Sequence, residues 1–161
     1  MASEQSSENP YQGLRQRALE VSASQLGLTV APEEPYGVLM ETGYPKAVVT
    51  LLSMGEGTTS LYFSTGGGIL GGIGHASVRA ASQKFISIAG QYLKDMEQTE
   101  QYPQPEIGQV RFYVLTPSGV RTYQAQENDL GHKRSQFWPL FYSGQEVLTE
   151  LRLTTEAQKA E

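Results

Sequence analysis

Cysteine is absent from this 161-residue chain, which excludes a disulfide framework, thiolate chemistry and cysteine-ligated zinc. Histidine is nearly as scarce. Only His75 and His132 remain for imidazole chemistry, and neither falls in a metal-binding spacing such as His-Glu-x-x-His. Charged residues make up 18% of the chain, below the roughly 25% usual in soluble proteins. The net charge of −5 argues against nucleic acid as a partner, because such a chain repels phosphate at long range. Apolar runs are short: Ala47-Val48-Val49 and Leu51-Leu52 fall far below the roughly 18 residues of a spanning helix. The polar stretch from Met1 to Asn9 has neither the basic start nor the apolar core of a secretory signal. No membrane partner is therefore expected, and the cytoplasm is the default location.

What is present suits one globular domain. Hydrophobic residues make up 39% of the chain, and a domain of this length buries about two-thirds of its unfolded surface without staples. Residues 1–9 read as a disordered tail, 10–153 as a single α+β domain, and 154–161 as a polar tail that frays.

Asn9-Pro10 suits a helix start, and Leu14, Ala18, Val21 and Leu26 recur near helical spacing, with Gly27 placed to end the helix in a left-handed turn. A helix is predicted from about 10 to 26. Two prolines in Ala31-Pro32-Glu33-Glu34-Pro35 then block any continuation. Three strands follow, Tyr36 to Thr42, Lys46 to Met54 and Thr58 to Thr65, joined by short glycine-containing breaks that suit hairpins. The second of them is apolar on both faces and should be covered on both sides or central.

Val78, Ala81, Phe85, Ile88, Ala89, Tyr92, Leu93 and Met96 mark an amphipathic helix from about 76 to 96, its apolar stripe laid on the sheet. Glu97 to Pro105 reads as a polar surface connection. Val110, Phe112 and Val114 then alternate with Arg111 and Tyr113, and Thr116-Pro117-Ser118-Gly119 turns the chain into Val120 to Ala125. Asn128 to Ser135 is loop. A last helix covers about 139 to 152, with Ser143 and Glu146 at a spacing that offers a later start. The predicted order is α-β-β-β-α-β-β-α, a five-stranded antiparallel sheet, as a three-strand meander plus a hairpin, with helices packed on it.

Six of the nine residues from 66 to 74 are glycine, and each costs entropy to order. The sharper explanation is a ligand site in which Thr65, Gly66, Gly67, Gly68, Gly71, Gly72, Gly74 and His75 lead into a helix whose free amides favour an anion. Arg79 in its first turn would be the charge clamp. From Thr42 to Lys94 there are four bases, Lys46, Arg79, Lys84 and Lys94, against the single acid Glu56. The plainer explanation is a compact loop with Ile69, Leu70 and Ile73 as its own small core. Gly66-x-Gly68-x-x-Gly71 also fits the dinucleotide fingerprint formally, but the preceding strand belongs to a meander and no acid stands about 20 residues on.

Exposed apolar residues offer another role. Ile69, Leu70 and Ile73, together with Phe137, Trp138 and Phe141 in an aromatic run, are candidate interface residues, with core packing as the plain alternative for the run. No nucleophile elbow is present. Glu41 and Glu56, the only acids between 35 and 94, fall at strand ends or turns where solvation is easy. No catalytic residue, metal ligand or cofactor is assigned. A non-catalytic binding domain, expected to pair with itself or another protein, is the leading expectation; a small-molecule or anion site at 66–74, in a binding domain or an enzyme, is its alternative.

Overall fold

The computed structural model describes residues 10–69 and 75–160, with side chains to residue 155. It is a mixed α+β fold built on an antiparallel sheet. The first helix, α1, is Tyr11–Glu20. It stops short of the predicted end because Val21 turns extended. Ser22 and Gln25 then exchange side-chain-to-backbone bonds at 2.9 and 3.2 Å, a capping box that starts the separate 3₁₀ turn Ser24–Leu26. Gly27, at φ +74°, ends that turn. Ser-x-x-Gln was the signal for the break.

The strands are β1 (Gly37–Gly43), β2 (Val48–Met54), β3 (Thr59–Phe63), β4 (Gly68–Ile69), β5 (Glu97–Thr99), β6 (Gln109–Thr116) and β7 (Gly119–Gln126). They lie in the order β4-β3-β2-β1-β6-β7-β5, each neighbouring pair antiparallel. The predicted meander and hairpin are there, but the sheet has seven strands rather than five. Both additions are short edge strands. β4 pairs only Leu61 with Ile69 and Tyr62 with Gly68, and β5 pairs residues 97–99 with the first half of β7.

Successive residues of β2 and its neighbours point to opposite faces of the sheet, and both faces are covered. On one face, α2 (Ala76–Gln91) and α4 (Trp138–Ala160) bury Val78, Phe85, Ala89, Leu140, Val147 and Leu151 against Val38, Met40, Leu51, Phe112 and Val114. A Cβ at Gly144 would lie 2.6 Å from the Met40 sulfur and 3.3 Å from the Phe85 ring, so glycine lets α4 settle onto sheet and α2 together. On the other face, α1 and the segment after it bury Tyr11, Ala18, Leu19 and Tyr36 against Leu39, Leu52, Met54, Tyr113 and Leu115. β2 is thus covered on both sides, as its sequence requires.

Other boundaries move. α2 ends at Gln91 and a 3₁₀ turn carries the chain through Leu93–Asp95, so the long helix is shorter than predicted. Glu97 to Pro105 is not a free surface connection: after β5 it crosses the α1 face, where Pro105 is buried and Tyr102 meets Tyr113 edge-on at 5.6 Å. The loop after β7 contains a short helix, α3 (Glu127–Gly131). α4 starts after Ser135, whose hydroxyl accepts from the Phe137 N–H at 3.2 Å, and it continues to Ala160. Ser143 lies inside it, donating to the Leu140 carbonyl at 2.9 Å, so the later start is not used. Among the described residues no helix is long and apolar enough to cross a membrane.

Candidate functional site

The first three glycines of the glycine-rich segment have an architectural duty. Between β3 and β4 the chain reverses through Gly66 and Gly67 at φ +111° and +81°, angles that side chains resist. The Gly66 N–H bonds the Phe63 carbonyl at 2.9 Å and the Phe63 N–H bonds the Gly67 carbonyl at 3.2 Å. A Cβ at Gly68 would stand 2.1 Å from the Leu61 carbonyl oxygen. Thr65 is exposed at the turn, and Ile69 packs against the edge of the core. Leu70, Gly71, Gly72, Ile73 and Gly74 lie outside the described residues.

The chain is described again at His75, which forms the N-cap of α2, with Arg79 exposed in the first turn. No acid shares that turn. Lys84, farther along α2, pairs with Glu146 of α4 at 3.1 Å, a surface contact between the two helices. His132 is exposed on the loop between α3 and α4. Among the described residues no cluster of histidine, aspartate and glutamate could hold a metal ion.

The aromatic run divides. Phe137 is completely buried, stacked on Tyr123 of β7 with ring centres 3.6 Å apart and close to Tyr92 at 4.8 Å. Phe141 is buried as well. These two candidate interface residues are core of their own chain, because the first turn of α4 turns them toward the sheet. Trp138 stays half-exposed, and Tyr142, at the end of the same run, is 39% exposed beside it, edge-on at 5.5 Å. Lys133, in the left-handed conformation at φ +59°, sets its ammonium 4.5 Å from the Trp138 ring centre and 5.5 Å from that of Tyr142. The Tyr142 hydroxyl donates to the Gly131 carbonyl at 2.6 Å. Farther along α4, Leu153 is 53% exposed.

Glu41 overturns its expected place. It is fully buried in the middle strand, not solvated at a strand end. Arg15 of α1 grips it with Nε and Nη2 at 2.6 and 2.9 Å, and the Thr50 hydroxyl donates to it at 2.7 Å. Arg15 also donates to the Tyr102 carbonyl at 2.8 Å. Tyr11 bonds Thr50 at 2.7 Å and receives the Gln104 amide at 2.8 Å, while the Tyr113 hydroxyl donates to the Pro103 carbonyl.

Burial opposes the Arg15 charge, and the hydrogen bonds and charge of Glu41 outweigh it, holding the guanidinium above its usual range. Burial first, and then the Glu41 charge, raises the Tyr11 phenol. Tyr113 is pushed up to about 12, mainly by burial. Both Glu41 oxygens accept protein donors and the carboxylate has no exposed surface, so this cluster fastens α1 to the sheet and offers nothing to a substrate.

The concavities differ in lining: one of about 540 Å³ beside the end of α1 is bordered by Leu19, Val21, Leu28, Tyr36 and Val120. Another, of about 570 Å³, is polar and lined by Gln109, Gln124, Gln126, Ser135, Gln136 and the ion pair of Arg134 with Asp129 at 3.0 Å. Four glutamine side chains dominate its lining, and its one carboxylate, Asp129, is engaged by Arg134.

No family model matches this sequence, and no curated protein or solved structure is similar to it at a significant level. The functional reading therefore rests on the residues themselves. Among the described candidates, Thr65 stands at the β3–β4 turn, His75 and Arg79 at the start of α2, and Trp138 half-exposed on α4, a helix that also exposes Tyr142 and Leu153.

Proposed function

We propose that this chain is a non-catalytic binding domain that acts by association, with a second copy or with another protein. The observation that carries this reading is the outer side of α4. Phe141, Val147 and Leu151 turn to the core, while the half-exposed Trp138 and the exposed Tyr142 and Leu153 stand on the opposite side. Aromatic side chains on a rigid helix suit an interface, since they bring large contact area at small entropic cost. The proposed setting is the cytoplasm, with neither nucleic acid nor membrane as partner.

Sedimentation velocity and light scattering on the full chain test this. A mass that climbs above 17.7 kDa with concentration is expected. A chain that keeps the monomer mass at every concentration counts against it.

A second reading, a small-anion site around Gly66 to Gly74, is favoured by the placement of Arg79, exposed in the first turn of α2. Its weight is reduced by the hairpin, which accounts for Gly66, Gly67 and Gly68 without a ligand. A thermal-shift panel of nucleotides, sugar phosphates and organic acids decides it. A ligand present at about 100 times its dissociation constant adds about 2.7 kcal/mol, and the resulting shift should vanish in Arg79→Ala.

A further inference from the structure

The hairpin of β6 and β7 closes on Thr116 opposite Gly119, and at its far end the Glu127 N–H bonds the Gly108 carbonyl at 2.9 Å. Backbone groups of an antiparallel strand point alternately to one side and the other. Tyr123 and Ala125 therefore turn theirs to β6, while Val120, Thr122, Gln124 and Gln126 turn theirs outward. β5 takes up the first two, with Thr99 opposite Val120 and Glu97 opposite Thr122. It reaches no farther along β7, because the 3₁₀ turn Leu93–Asp95 brings the chain in from α2 just before Glu97. Among the described residues no strand lies outside Gln124 and Gln126, and no protein group bonds the outward N–H of either or the carbonyl of Gln124.

Beside this open edge lies the polar groove of about 570 Å³, with Arg134, Ser135 and Gln136 as its opposite wall. Its charges cancel in the pair of Arg134 with Asp129, so it selects neither an anion nor a cation. What it offers is neutral and directional: backbone amides two residues apart, at the strand repeat of about 7 Å, and carboxamides that each donate and accept. An extended polypeptide has the matching groups at the matching spacing, and β5 already covers the first half of the same edge in that form. Protected edges carry charge, proline or a bulge. Tyr123 to Gln126 carry no charge and no proline, and their unbroken register with β6 leaves no bulge.

We propose that the outer edge of β7 at Gln124 and Gln126 is a docking site for an extended peptide segment of a partner protein, which adds there as an antiparallel strand in line with β5. Opposed residues of neighbouring strands share a face, so the peptide residue facing Ala125 enters the groove beside Ser135 and Gln136, where a neutral polar side chain fits. This surface is separate from the outer side of α4, so the proposal goes beyond the association reading above and does not depend on it.

The probe is a phage-displayed library of linear heptapeptides selected on the full chain, the selected sequences then being synthesised and titrated by calorimetry. Gln124→Pro removes the outward N–H and none that β6 uses, a substitution an edge strand tolerates, and it should weaken binding about ten-fold while circular dichroism stays unchanged. Gln124→Ala keeps that N–H and should weaken binding less. Bound peptide should also slow hydrogen exchange at the amides of Gln124 and Gln126. Failure to select any peptide that binds the chain in solution overturns the proposal. So does a selected peptide that binds Gln124→Pro as tightly as the unaltered chain and leaves both amides exchanging at their free rate. A chain that self-associates without peptide, and loses that association in Gln124→Pro, has the edge of a second copy at this site, which overturns the partner peptide.

Discussion

On the face of the sheet under α2 and α4 the buried side chains are predominantly apolar, Met40, Phe85, Phe112 and Leu140 among them, with only the small hydroxyls of Ser82 and Ser143 from the two helices. On the face under α1 the same depth holds an arginine, a glutamate, a threonine and two tyrosine hydroxyls. Packing is non-directional, so a helix held by it finds its place through many small contacts. A bidentate ion pair is directional: Arg15 meets Glu41 from one position of α1 only, and the desolvation of both charges penalises every other. The first face is a matter of volume, the second of alignment.

Breaking each face in its own way sharpens the contrast. Phe85→Ala opens a cavity among residues that cannot collapse freely, and urea denaturation should show a loss of about 3–5 kcal/mol. Glu41→Gln leaves the buried Arg15 charge without its counter-charge and should cost about 3 kcal/mol in the same measurement. The paired replacement Arg15→Met with Glu41→Leu should be clearly less harmful than Glu41→Gln alone, because it removes both desolvation penalties at once. If the pair is as damaging as the single change, the ion pair is not what sets this face apart.

Alkaline pH should act on the α1 face selectively. Tyr113 stays neutral in the folded state to about 12, whereas the unfolded phenol ionises near 10. Its contribution is therefore complete below pH 10 and is lost as pH rises through 12. Tyr113→Phe should lose about 1 kcal/mol at neutral pH with the hydrogen bond to Pro103, and its stability should fall less steeply over that window in an alkaline denaturation series. The smallest effect is expected outside both faces. Lys133→Gly relieves a left-handed backbone angle but forfeits the contact with Trp138; the two oppose, and the melting free energy should move by less than about 1 kcal/mol.

The difference between the faces also explains what the sequence could show. The three helices of ordinary length and the five longer strands were legible in the periods of their apolar residues. β4 and β5 were not, because two- and three-residue edge strands are held by backbone pairing and leave no side-chain pattern; Glu97 and Gln98 stay exposed. Glu41 misled because an acid alternating with apolar neighbours looks solvent-facing. The corrective lay in register: Leu39, Tyr113 and Leu115 share its face, and a face that apolar must be covered, which leaves Glu41 in need of a cation. Arg15 stands twenty-six positions away, beyond the reach of local pattern. Of the candidate surface residues, Trp138 was legible and Tyr142 was hidden in the same run, since which residues of an aromatic series turn outward depends on where the helix starts, and Ser135 sets that start.

The hydrogen bond from Arg15 to the Tyr102 carbonyl gives the polypeptide a clasp between segments far apart in sequence. α1 cannot lift from the sheet without releasing the strap that carries Tyr102, Pro103 and Gln104, and the strap cannot swing out without uncovering the arginine. Amide protons in the two segments should therefore exchange with deuterium as one cooperative unit, sharing an opening free energy and responding together when either is perturbed.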